Sequence, residues 1–117
     1  MADSAESIIV AALAGLNVKV YPDVAPPGSI GPYITYQAVG GQDTNGLDGP
    51  ADLQNARMQV NVWAPTRGAA VSIMRSVFAT LTDSAVGGIP IGAPVSTYEA
   101  DTKLYGSRLD VSIWWKP

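Results

Sequence analysis

The sequence predicts a single α+β domain, with element order α-β-β-β-α-β-β and both helices on one face of an antiparallel or mixed sheet. Three observations lead there. Two segments repeat apolar residues at helical spacing, several others alternate apolar and polar residues at the two-residue period of a strand, and the strands are mostly joined by hairpin-like connections instead of regularly alternating with helices. A chain of 117 residues supports one core that buries roughly two-thirds of the surface of the unfolded chain, so residues 1–117 read as one domain, with no internal repeat or linker.

The first helix opens at Asp3 and Glu6, which have the spacing of a capping box, with Ser4 as a competing N-cap. Ile8, Ile9, Ala12, Leu13 and Leu16 then share one stripe, and Gly15 or Asn17 ends it. Val18 to Tyr21 is a short β-prone run closed by Pro22, and Pro26-Pro27-Gly28 with Gly31-Pro32 marks a stiff connection. From Tyr33 to Val39, Ile34, Tyr36 and Ala38 face one way and Thr35 and Gln37 the other. Gly40 to Asn55 carries glycines, aspartates and a proline and almost nothing apolar, which reads as a long loop. The strand Arg57–Trp63 sets Met58, Val60 and Val62 against Arg57, Gln59 and Asn61, and puts Trp63 on the polar face.

Pro65 and Thr66 open the second helix, where Ala70, Ile73, Met74, Val77, Phe78 and Leu81 recur at intervals of three and four. Glycines and prolines break the chain between Asp83 and Pro94. Val95 to Glu99 is then a strand, and a turn near Asp101 to Lys103 leads to the last one. There Leu109, Val111, Ile113 and Trp115 alternate with Arg108, Asp110, Ser112 and Trp114.

Composition removes whole classes of function. Histidine and cysteine are absent, so imidazole acid–base chemistry, thiolate nucleophiles, disulfides and the usual nitrogen and sulfur metal sites have no residues to build on. The formal charge of −3 provides no general basic surface for DNA phosphates. The apolar run Ile8–Leu16 is too short to span a bilayer, and Asp3 and Glu6 stand where a secretory signal carries Lys or Arg. Glu99 with Asp101 is a carboxylate pair in a polar turn, better read as solvated turn residues than as an acid–base couple. The run from Asp43 to Gly49 fails the calcium-loop register, since the glycine position holds Asp48 and the closing glutamate position Gln54. No phosphate loop or dinucleotide fingerprint is present. The sequence therefore predicts no enzyme, no cofactor and no metal. What remains are interaction residues: Gln42, Asp43, Asn45, Asp48, Asp52 and Gln54 of the long loop, with Trp63, as candidates for an assembly interface.

Val20-Tyr21-Pro22, then Pro32 to Gln37, then Arg57 to Ala64, and finally Tyr98 to Tyr105 ahead of Asp110 to Trp114 resemble, in order and spacing, the successive signatures of a family of small siphophage tail-completion proteins. The family is similar in fold to the tail terminator of phage lambda. That resemblance implies a structural virion protein that forms a homo-oligomeric, hexameric ring at the head-proximal end of the tail tube. It implies as partners the chain itself, the tail tube protein and the head–tail connector protein, with assembly in the bacterial cytoplasm and no specific nucleic-acid or membrane binding. The acidic balance suits a channel that DNA crosses, and Val18 to Tyr21 is a candidate edge for pairing between subunits. The nearest rival is a connector or stopper subunit; a small-molecule-binding α+β module is the next, and it would need a pocket with converging polar groups.

Overall fold

The computed structural model describes residues 4–42 and 53–116. Helix α1 (Ala5–Leu13) starts where Ser4 leaves the helical region at φ −156°, and the Ser4 hydroxyl accepts the Ser7 backbone N–H at 3.1 Å. Ser7 Oγ in turn accepts the Ser4 N–H at 3.3 Å. The capping box is thus Ser4–Ser7, with the competing cap winning over Asp3, which lies outside the described residues. A turn of 3₁₀ helix at Ala14–Leu16 follows, and Asn17 stops it in the left-handed region at φ 57°, a conformation Asn tolerates better than most residues. Helix α2 (Arg67–Thr82) is capped by Thr66, whose hydroxyl accepts the Ala69 N–H at 3.1 Å.

Six strands form one mixed sheet: β1 (Lys19–Pro22), β2 (Tyr33–Ala38), β3 (Gln54–Ala64), β4 (Ile89–Pro90), β5 (Val95–Glu99) and β6 (Leu104–Trp115). The order is β1-β2-β3-β6, and β4 and β5 both lie beyond β6, on the side that β3 leaves open. Only the β1–β2 pair is parallel; residues 23–32 make that crossover. All eleven residues of β3 pair with β6, from Gln54 opposite Trp115 to Ala64 opposite Tyr105.

That pairing decides where the core is. Met58, Val60 and Val62 of β3 and Leu109, Val111 and Ile113 of β6 point to one face and are buried there, next to Ile34 and Tyr36 of β2. Ile9 and Leu13 of α1 and Met74, Val77 and Leu81 of α2 cover them. Each fully buried aliphatic side chain contributes about 1.5–3 kcal/mol. Trp115 packs against the edge of the same core.

The α+β reading, the two-helix face and the alternating strands hold. The largest differences are an earlier start of one strand and one added strand. Strand β3 begins at Gln54, so the last two residues of the expected Gly40–Asn55 loop are in the sheet, because Asn55 and Gln54 find partners in Trp114 and Trp115. The added two-residue strand β4 sits among chain breakers that hide it in the sequence. It forms because Gly88 passes close to the Leu81 carbonyl and the Val111 side chain, where a Cβ would collide, and the Gly88 N–H reaches Leu81 O at 2.9 Å.

Leu13 is fully buried whereas Val10, on the same helix, is 41% exposed. Leu13→Ala is expected to lower unfolding free energy by about 2–5 kcal/mol in urea titrations, and Val10→Ala to change it by less than ~0.5 kcal/mol.

Candidate assembly interface

With both helices on one side, no helix covers the other face of the sheet among the described residues. The register places residues of five strands on level rows: Lys19, Tyr33, Trp63, Gly106 and Thr97 in one, and Tyr21, Thr35, Asn61, Arg108 and Val95 two residues further along. Tyr33, Thr35, Gln37, Gln59, Asn61 and Trp63 form the floor of a concavity of about 590 Å³, with Asp23 to Ala25 at one wall and Thr97 to Glu99 at the other.

Trp63 anchors this floor. Its indole lies over Gly106, directly across on β6, and a Cβ there would strike both the ring and the Thr97 hydroxyl. The indole N–H donates to Thr35 Oγ1 at 3.2 Å, so a buried threonine satisfies the donor that the half-buried ring would otherwise strand. Tyr21 meets Tyr33 edge-on at 6.0 Å between ring centres. At the far end, Asn55 donates through Nδ2 to Ser112 Oγ (2.8 Å) and to the Ile113 carbonyl (3.1 Å), while its Oδ1 accepts the Gln42 N–H (2.9 Å). This one amide ties the root of the 43–52 segment to β6. Val39 and Gly40 both hydrogen-bond to Arg57, so one extra residue bulges β2 just before that root.

Charge on this face is mixed. Arg57 contacts Asp110 Oδ2 through Nη2 at 2.7 Å and Nε at 2.8 Å; the arginine is 46% exposed, which limits the pair to about 1 kcal/mol or less. The concavity itself is lined by Asp23, Glu99 and Arg108. Burial first, then the Glu99 carboxylate and Tyr21, push the Tyr33 hydroxyl above its ordinary value of 10.0. Burial, Glu6 and Asp23 do the same to Tyr36 on the helix side. Among the described residues no group of three or more His, Cys, Asp or Glu is placed to hold a metal ion, and no helix is long and apolar enough to cross a membrane.

Three of the candidate interface residues, Trp63, Gln54 and Gln42, fall within the described part. Trp63 is in the floor of the concavity, half-buried and hydrogen-bonded, and is not a projecting anchor. Gln54 starts β3 on the opposite face, nine residues away, or roughly 30 Å at strand rise. Gln42 is exposed at the loop root. Asp43, Asn45, Asp48 and Asp52 lie outside the described residues. Sequence reasoning missed the concavity as a unit, although the alternation of Thr35, Gln37, Gln59 and Asn61 signalled its floor.

The sheet ends in two edges without a further strand partner among the described residues, β1 on one side and β4 with β5 on the other. The described part thus presents a largely polar, helix-free face between the two edges of the sheet. The family model for tail completion protein gp17 matches residues 3–116, and the chain belongs to that family of phage tail proteins. It is a structural component of a phage tail that assembles with other tail and head components. No curated protein matches the sequence. The solved structure of the gp17 protein of bacteriophage SPP1 is similar at TM-score 0.53 and 17% identity, over 92% of this chain and 86% of that one. A chain in the virion of a native gene transfer agent particle matches at TM-score 0.49 and 15% identity, over 97% and 87%.

Two outcomes test this geometry. Gly106→Val is expected to lift the indole off β6, shifting to the red the part of the fluorescence that Trp63→Phe removes and destabilising the fold by about 1–3 kcal/mol. For Tyr33 and Tyr36 the fold favours the neutral hydroxyl. Their contribution is therefore complete below pH 10.0 and is lost as pH rises through the raised native values. Urea midpoints measured from pH 8 upward are expected to fall less steeply in the Tyr33→Phe, Tyr36→Phe double variant than in the wild type.

Proposed function

We propose that the chain forms a closed ring on the last ring of the tail tube, at its head-proximal end, where it stops tube growth and presents a surface to the head–tail connector. The observation that carries this reading is the family match over residues 3–116; the two open sheet edges support it. Head-to-tail contacts that close into a ring consume their own adhesive surfaces and leave the two flat sides for other partners. A hexamer is the ring size the family resemblance favours. In this role no bond is made or broken, and specificity is geometric. The polar 43–52 segment, with Asp43, Asn45, Asp48 and Asp52, is bounded in the chain by Gln42 and by the strand that holds Asn55, which are hydrogen-bonded to each other, and its composition suits contact with a neighbouring copy or the tube. Assembly takes place in the host cytoplasm, before heads and tails join.

Electron microscopy of lysates from phage lacking this chain tests the reading. Tails of irregular, excessive length, separate from filled heads, are expected, with normal particles restored by supplying the chain. Tails of normal length beside full heads would instead assign a connector or stopper role, and infectious particles without the chain would end both readings.

A further inference from the structure

Edge strands β1 and β5 share three properties. They lie at the same height, since the rows that begin at Lys19 and Tyr21 end at Thr97 and Val95. They run in opposite directions: β1 is parallel to β2, and three successive antiparallel pairings lead from β2 through β3 and β6 to β5. They are also flanked by exposed apolar side chains. Of the ten large hydrophobic residues exposed in the described part, Val24 and Ile30 lie on the connection beside β1, and Ile89, Ile91, Val95 and Tyr98 lie along β4, β5 and the link between them. Exposed apolar residues clustered on two opposite edges mark contact surfaces, because open strands with such neighbours otherwise promote unregulated association.

From these features we infer that β1 of one copy pairs antiparallel with β5 of the next, so that the sheet continues from subunit to subunit around the ring. The occupant of each edge is a second copy of this chain, and the inference rests on the ring reading above. Level edges give a head-to-tail contact without axial climb, which is the condition for closure instead of a helical filament. Opposite strand polarity makes the new pair antiparallel, the arrangement in which an added strand has perpendicular hydrogen bonds. A hollow of about 420 Å³ between α2 and β5, lined by Val71, Met74, Phe78 and Pro94 among others, adjoins the β5 edge on the helix side. A copy docked there covers it.

The concavity sets which face is inside. The concavity lies on the helix-free face, so a continuous sheet bends toward that face and carries the helices outside. Five level strands at ~4.8 Å spacing span about 24 Å, and six copies give a circumference of roughly 145 Å and an opening of about 45 Å between backbones, wide enough to pass a DNA duplex once side chains are counted. Gln37, Gln59 and Asn61 then line the passage. Charges of both signs, among them Lys19, Arg108 and the Arg57–Asp110 pair, share that face with these neutral amides, so the passage is not a uniformly basic surface that would hold phosphates.

The chain has no cysteine, which makes disulfide trapping clean. Lys19→Cys is combined in turn with Val95→Cys, Thr97→Cys or Glu99→Cys, three positions that step along β5 on one face. Tails are purified from phage carrying each variant. Under mild oxidation one combination is expected to form a ladder of linked chains that ends at the closed ring and collapses with reductant, while single variants stay monomeric on denaturing gels. Rings visible on the tails with no ladder from any combination would overturn the strand pairing and leave the ring reading intact. Wild-type tails of normal length with no ring at all would remove both. For variants that fail to complete tails, a cryo-electron microscopy map of the wild-type tail end decides independently: β1 and β5 of adjacent copies side by side is the expected result, and any other neighbour for either strand overturns the inference.

Discussion

The constraint on which the rest of this molecule depends is the register between β3 and β6. Side chains on a strand alternate between faces, so a slip of one residue would carry Met58, Val60 and Val62 to the wrong side of the sheet and expose the whole set. Nothing local prevents such a slip, because no tight turn joins the two strands; α2, β4 and β5 lie between them in the chain. The register is held by what both strands face. On one side α1 and α2 demand an apolar surface, and on the other the Trp63 indole demands Gly106 opposite it and Asn55 demands Ser112 and the Ile113 carbonyl. One apolar layer and two specific contacts, one near each end of the pair, agree on a single alignment.

From that alignment the functional surface follows. Once the helices occupy one face, the polar half of the alternation becomes a free floor, and the strands added outside β2 and β6 become its walls. β1 reaches its place by a parallel crossover through residues 23–32, which brings Asp23 to Ala25 over one rim. β5 folds back antiparallel onto β6 and supplies Thr97 to Glu99 at the other rim. The same two strands end the sheet.

Much of this was legible in the residues, and the limits have physical causes. The core positions of β2, β3, β6 and α2 are visible because burial on one face imposes a period, and that period survives in the sequence. The N-terminus of α1 was less so: Asp3, Ser4 and Glu6 all suit a cap, and only the backbone at Ser4, with Ser7 reaching back to it, selects one. Strand β4 was hidden because its formation depends on a close approach at Gly88 to atoms of α2 and β6, a tertiary fact that leaves a glycine as its only trace. The concavity was hidden for a similar reason. Each row draws one residue from each of five strands, so no stretch of sequence contains it. Trp63 could be placed on the polar face but not as half-buried, since its cover comes from the absence of a side chain at Gly106 across the sheet. The overall acidic charge likewise did not say where acids would lie; two of them, Asp23 and Glu99, line the concavity together with Arg108.

Amide hydrogen exchange of the free chain, resolved by residue, tests the β3–β6 constraint most directly. If that pairing holds the fold together, the hydrogen-bonded amides from Met58 to Val62 and from Ser107 to Val111 exchange only through global unfolding, with the same free energy and denaturant slope as the whole chain, while β1 and β5 open at lower cost. Central-strand amides that exchange through a smaller opening, with the helices still protected, would show that α1 and α2 are stable without the pairing and would contradict this account.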